Sequence, residues 1–117
     1  TDSNARIDMF EEMRWLEYGQ RLRGEARGTM VDEEGLVART LLDIATQGGA
    51  SSLGVPAGTI TTGALADFTA VDIESPLLAG TPPVTLLEGM VSGADGRIVT
   101  ATAVGGHWII HRPVGGI

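Results

Sequence analysis

The sequence predicts an α+β fold built in two different grammars, and three observations carry that reading. A polar turn, Thr1-Asp2-Ser3-Asn4, is followed almost at once by an amphipathic stretch. A carboxylate in a turn ahead of such a helix is how a β/α barrel presents an acid at the catalytic end of a strand. Up to Gln47 the chain is charged and spaced for helices; beyond Gly48-Gly49 it changes to Gly, Thr, Val and Ile in short runs bounded by turn residues. With 117 residues there is room for one core, but not for an entire barrel, which takes about 250 residues. The chain therefore reads as the last piece of something larger.

The first helix is expected to start at Asp8, with Glu11 three residues on in the capping-box arrangement. Phe10, Met13, Trp15, Leu16 and Leu22 supply its apolar side, Arg21 and Arg23 suit the dipole of its last turn, and Gly24 ends it. A second helix is expected from Asp32 to Gln47, with Asp32, Glu33 and Glu34 in its first turn and Val37, Leu41, Leu42, Ile44 and Ala45 buried. Gly48 and Gly49 end it, and Ala50 to Leu53 can add a short helical turn. From Val55 the period is two. Thr59-Ile60-Thr61 and Phe68 to Ile73 are predicted strands with Gly63 to Asp67 as the corner between them. Ser75 to Pro83 is loop, and Val84 to Val91 fits strand or helix equally. Arg97 to Val104 and His107 to His111 form a hairpin across Gly105-Gly106, a dipeptide suited to positive φ.

A net charge of −7 and a pI near 4.6 argue against a nucleic-acid or anionic-membrane partner, which would require a basic face. All eight basic residues are Arg. The absence of Cys excludes disulfides and thiolate metal sites. Neither a signal segment nor an apolar run near ~18 residues is found, and a soluble cytoplasmic setting is expected.

Two signatures resemble the C-terminal part of amidohydrolase-superfamily enzymes, and within them the formimidoylglutamate deiminases of histidine degradation. The first is Asp2-Ser3-Asn4 with Glu11-Glu12-Met13-Arg14-Trp15-Leu16-Glu17-Tyr18-Gly19-Gln20-Arg21-Leu22-Arg23; the second is Gly58-Thr59-Ile60, Gly63, Ala66-Asp67-Phe68 and Asp72. The resemblance implies the terminal strand and helices of a (β/α)8 barrel over residues 1–54, followed by part of a small β-sandwich over 55–117. It further implies a Zn²⁺-dependent parent enzyme that converts N-formimino-L-glutamate and water to N-formyl-L-glutamate and ammonia. Asp2 would be its catalytic and metal-binding carboxylate, at the end of the eighth strand, taking a proton from metal-bound water. The other ligands of such enzymes, a His-x-His and further histidines, are absent from this sequence, so the fragment by itself is expected to be inactive and to pair with missing N-terminal polypeptide or with itself.

Each singled-out residue also has a plainer reading. Asp-Ser-Asn is good turn chemistry without any metal, and Ser3 and Asn4 shape that turn rather than touch substrate. Trp15 and Tyr18 read as interior packing. Arg14, Arg21 and Arg23 read as partners of Glu11, Glu17 or Glu25. Asp67 reads as a brace for the corner entering Phe68. His107 and His111, four apart on a strand, would stand roughly 13 Å apart at about 3.3 Å per residue, too far to share a metal. The alternatives kept open are another amidohydrolase, of chlorohydrolase, guanine deaminase or imidazolonepropionase type, and a non-catalytic α+β assembly module.

Overall fold

In the computed structural model the described residues are 5–110, so Asp2, Ser3, Asn4 and His111 lie outside them. Helix α1 (Met9–Gly24) starts where expected, because the Asp8 carboxylate accepts the otherwise orphaned N–H groups of Phe10 and Glu11. Its end differs in detail. Gly24 is the last helical residue, and the left-handed position that favours glycine is held by Glu25, at φ 50°.

The second helix begins later than its acidic run. Asp32 closes a turn, its Oδ1 accepting the N–H groups of Glu34 and Leu36, both at 2.9 Å. The rod proper runs as α2 (Ala38–Asp43), a π turn (Ile44–Gly48) and α3 (Gly49–Leu53). Its first N–H, that of Ala38, is satisfied by Glu88 Oε1 at 2.8 Å, a carboxylate from far along the chain. Gly48 and Gly49 do not stop it: both hold right-handed helical angles, and Gly54, at φ 68°, is the terminator.

Thr59-Ile60-Thr61 is not a strand. It lies in the loop from Val55 to Asp67, where Ile60 is 86% exposed and Leu65 N–H bonds Pro56 O at 2.7 Å. Three alternating residues between Gly58 and Gly63, both at positive φ, are too few to hold extended pairing. Gly58 explains the loop's position: a Cβ there would fall 2.6 Å from Thr46 O, so the loop seats glycine backbone directly on the π turn.

Among the described residues the sheet is three-stranded and antiparallel, in the order β1 (Phe68–Val71), β2 (Val99–Val104), β3 (His107–Ile110). β1 stops short of the expected Ile73, and the Ala70–Val71 step carries a register shift. The hairpin turn at Gly105 (φ 55°) and Gly106 (φ 81°) is as read from the sequence, both residues being left-handed, but β2 starts at Val99 rather than Arg97 because Gly96–Ile98 form a 3₁₀ turn capped by Asp95. Between β1 and β2, the loop from Ser75 holds two single 3₁₀ turns, and the ambiguous segment is helix α4 (Leu86–Gly93).

Two apolar clusters make the core. Met13, Val37, Ala38, Leu41 and Val91 join α1, α2 and α4; Leu78, Ala94 and Ile98 join the loop, the end of α4 and the approach to β2. Phe10 packs against both. Within this chain Trp15 (60% exposed) and Tyr18 are not interior but meet edge to face on the surface, and Leu22 of the apolar side is 79% exposed. Helical spacing marks which residues share a face, and here the buried residues of α1 are Met13 and Glu17. We expect Gly58→Ala to cost about 2–3 kcal/mol, since it combines left-handed strain with a backbone clash; urea unfolding measures this, with Gly49→Ala, in open helical space, as the mild control.

Candidate functional site

The candidate catalytic residue Asp2 precedes the described chain, so the site is approached from the segment that follows it. Ala5, Arg6 and Ile7 are exposed and belong to no helix or strand. Asp8 is buried and works with both oxygens: Oδ1 caps α1, and Oδ2 accepts Gly96 N–H at 3.0 Å. Arg6 sits among three carboxylates, 3.5 Å from Asp8, 3.5 Å from Glu11 and 3.6 Å from Asp95. Glu11, expected to reach back to the cap, therefore faces Arg6. Asp95 is held well below the usual carboxylate range, at about 2, chiefly by the Arg97 side chain, which it meets at 2.9 Å, and by the Arg97 N–H.

A second charged centre lies on the inner side of α1. Glu17 is only 2% exposed, yet every bond it makes favours the ionised form. Its Oε1 accepts Arg21 Nε at 2.7 Å and Thr29 N–H at 2.8 Å; its Oε2 accepts Met30 N–H at 2.8 Å. Burial by itself raises the pKa, but the Arg21 hydrogen bond and the two backbone donors outweigh it, and the carboxyl lies below its ordinary value. A carboxylate so fully engaged is a clamp on the loop after α1, not a free base. The expected Glu17–Arg21 pairing is thus present. Arg14 differs from expectation: its guanidinium donates to Val91 O at 2.9 Å and Ala94 O at 2.6 Å, closing the end of α4. Arg14, Glu17, Tyr18, Arg21 and Ser92 border a cavity of about 70 Å³ above Leu41.

Asp67 has a different partner from the one expected. Its Oδ1 accepts Gly105 N–H at 2.7 Å, and Ala66 O accepts Gly106 N–H at 2.8 Å, so the corner pins the hairpin turn rather than bracing itself. His107 is exposed on β3, and His111 lies outside the described residues. No group of three or more His, Cys, Asp or Glu side chains able to hold a metal ion occurs among the described residues. The Asp8–Gly96 tie and the Arg14 cap were missed by sequence reading, because their partners are backbone groups about eighty residues away; Glu17 carried a signal, an acid four residues before Arg21 on the same side of the helix as Met13.

The sequence model of the Amidohydrolase family matches residues 1–109. This chain belongs to that family. Among individual relatives, it is 38% identical to the formimidoylglutamate deiminase of Pseudomonas aeruginosa over 111 residues, which are 94% of this chain and 24% of that protein. It is 34% identical to a 5-methylthioadenosine/S-adenosylhomocysteine deaminase of Natronomonas pharaonis, covering 92% of this chain and 23% of that protein. It is 35% identical to a 5'-deoxyadenosine deaminase of Methanosarcina mazei, covering 89% and 22% respectively. The chain thus spans about a quarter of the length of these relatives. No helix among the described residues is long and apolar enough to cross a membrane.

The Glu17 clamp has a pH signature of definite sign. Its pKa is lowered by folding, so its stabilisation is present above the unfolded value near 4.5 and is lost as pH falls through the folded value. We expect the urea midpoint to drop below pH 4.5 in the natural chain, and Glu17→Gln to flatten that dependence while costing about 1–3 kcal/mol at pH 7.

Proposed function

We propose that this chain is the C-terminal part of a metal-dependent amidohydrolase that releases ammonia from an amidine carbon, converting N-formimino-L-glutamate and water to N-formyl-L-glutamate and ammonia. The observation that carries the reading is the 38% identity to formimidoylglutamate deiminase across 94% of the chain. In this reading residues 1–54 are the closing segment of a barrel and 55–117 part of a small sandwich. The catalytic contribution of the chain is Asp2, as cation ligand and proton acceptor. A carboxylate suits both roles because it holds a cation and accepts a proton. The described residues do not form a metal site; in this reading a Zn²⁺ would take its remaining donors from polypeptide outside this chain.

A second reading has its own support: several relatives are deaminases of adenosine-type compounds at 33–35% identity. The two readings differ in substrate and share ammonia as product. Ammonia release by the longer polypeptide carrying this segment decides between them. Turnover of formiminoglutamate, abolished by Asp2→Asn, is the expected result; turnover of 5'-methylthioadenosine instead would reject the substrate and keep the family.

By itself the chain is expected to be inactive and to self-associate. β3 is an outer strand with Trp108, Ile109 and Ile110 all exposed and no Pro, Lys or acid guarding it. Light scattering is expected to give a mass that rises with concentration; a monomer at high concentration would refute the expectation.

A further inference from the structure

Arg14 is half-buried, yet it meets no carboxylate among the described residues. Its partners are neutral: Nη1 donates to Val91 O at 2.9 Å and to Ala94 O at 2.6 Å. These carbonyls at the end of α4 take up part of the charge, as helix C-termini do. The N–H groups of Nε and Nη2 stay uncommitted among the described residues. A cation withdrawn from water is ordinarily matched by an anion or by a full set of acceptors. Beside Arg14 the place of that anion is open space, the cavity of about 70 Å³ that it borders.

The rest of the lining suits an anion with a small apolar part. Arg21 spends Nε on Glu17, at 2.7 Å, and leaves both terminal nitrogens without a partner among the described residues. Glu17 is not the missing counter-ion, because its oxygens are taken by Arg21 and by the N–H groups of Thr29 and Met30. The hydroxyls of Tyr18 and Ser92, also at the cavity, make no hydrogen bond among the described residues. Val37 and Leu41, both buried, supply the apolar part of the lining. The volume holds a few heavy atoms and no more, a liquid water occupying about 30 Å³. We propose that this cavity between α1, α2 and α4 is a binding site for a small carboxylate, its head group on the free N–H groups of Arg14 and Arg21 and its short stem on Val37 and Leu41. The guanidinium fork matches two carboxylate oxygens. Phosphate would set an oxygen against the apolar lining, where a carboxylate presents carbon. Neither Asp2 nor a metal takes part, so the site stands apart from the catalytic reading.

The test is urea unfolding of this chain at pH 7 in sodium acetate, against sodium chloride of equal ionic strength, since a ligand of the folded state raises the midpoint. A rise that saturates with acetate and is absent in chloride is the expected result. Ser92→Ala and Tyr18→Phe remove hydroxyls that hold nothing in the fold, and each is expected to weaken the apparent acetate affinity about three-fold. Arg14→Lys keeps the charge without the fork and is expected to weaken it about ten-fold. A linear rise, equal in Ser92→Ala and the natural chain, would mark exclusion of acetate from the protein surface and overturn the proposal. No rise at all would overturn it too, as would phosphate raising the midpoint as far as acetate at the same concentration.

Discussion

The grip of α1 on the turn between α4 and β2 is the constraint on which the rest of the structure depends. Two side chains of one helix end make it. Asp8 caps its own helix with one oxygen and takes Gly96 N–H with the other, while Arg14 closes the carbonyls of Val91 and Ala94. Hydrogen bonds to charged groups contribute about 1.5–3 kcal/mol each, and the cost of losing them rises when the abandoned partner stays buried. Phe10 lies between the two side chains in sequence and packs against both apolar clusters. Polar ties and apolar contact therefore meet at the same place, where the helical part joins the approach to the sheet.

That joint explains how charge is distributed in an acidic chain. The carboxylates that matter structurally are occupied: Asp8 by backbone, Glu17 by Arg21 and two N–H groups, Glu88 by the start of α2, and Asp95 by Arg97. Each answers a specific group of unsatisfied donors. The acidity of the composition is thus partly an inventory of internal acceptors, in keeping with the absence of any buried side-chain polar atom lacking a partner among the described residues. The exposed apolar residues of α1 and β3 are the counterpart. The chain spans about a quarter of the length of its relatives, and in it Trp15, Leu22, Trp108, Ile109 and Ile110 are exposed.

The legibility of the fold followed the range of the interactions involved. The start of α1 at Asp8, the Gly105-Gly106 hairpin and the Glu17–Arg21 pair depend on residues within four positions of one another, and all three were readable. The second helix was misread where local and distant acceptors compete: Asp32 to Glu34 satisfy a turn, and the helix start is satisfied by Glu88. Gly48-Gly49 was misread because a π turn, seated against Gly58, carries the helix through it. The apolar side of α1 was legible as a face, but Trp15 shows that periodicity does not say whether a neighbour exists to cover it. The candidate carboxylate, Asp2, was put forward by resemblance alone, since its turn chemistry is common, and it lies outside the described residues.

The pinned hairpin has a consequence for how the chain acquires its structure. β2 and β3 need only a two-residue turn to find each other, an event of microseconds. β1 reaches β2 only by closing the long excursion from Val71 to Val99, which contains α4. Asp67 and Ala66, immediately before β1, hold the hairpin's apex through Gly105 and Gly106. The register of β1 on β2 is therefore anchored at the hairpin's apex, the end opposite the irregular Ala70–Val71 step.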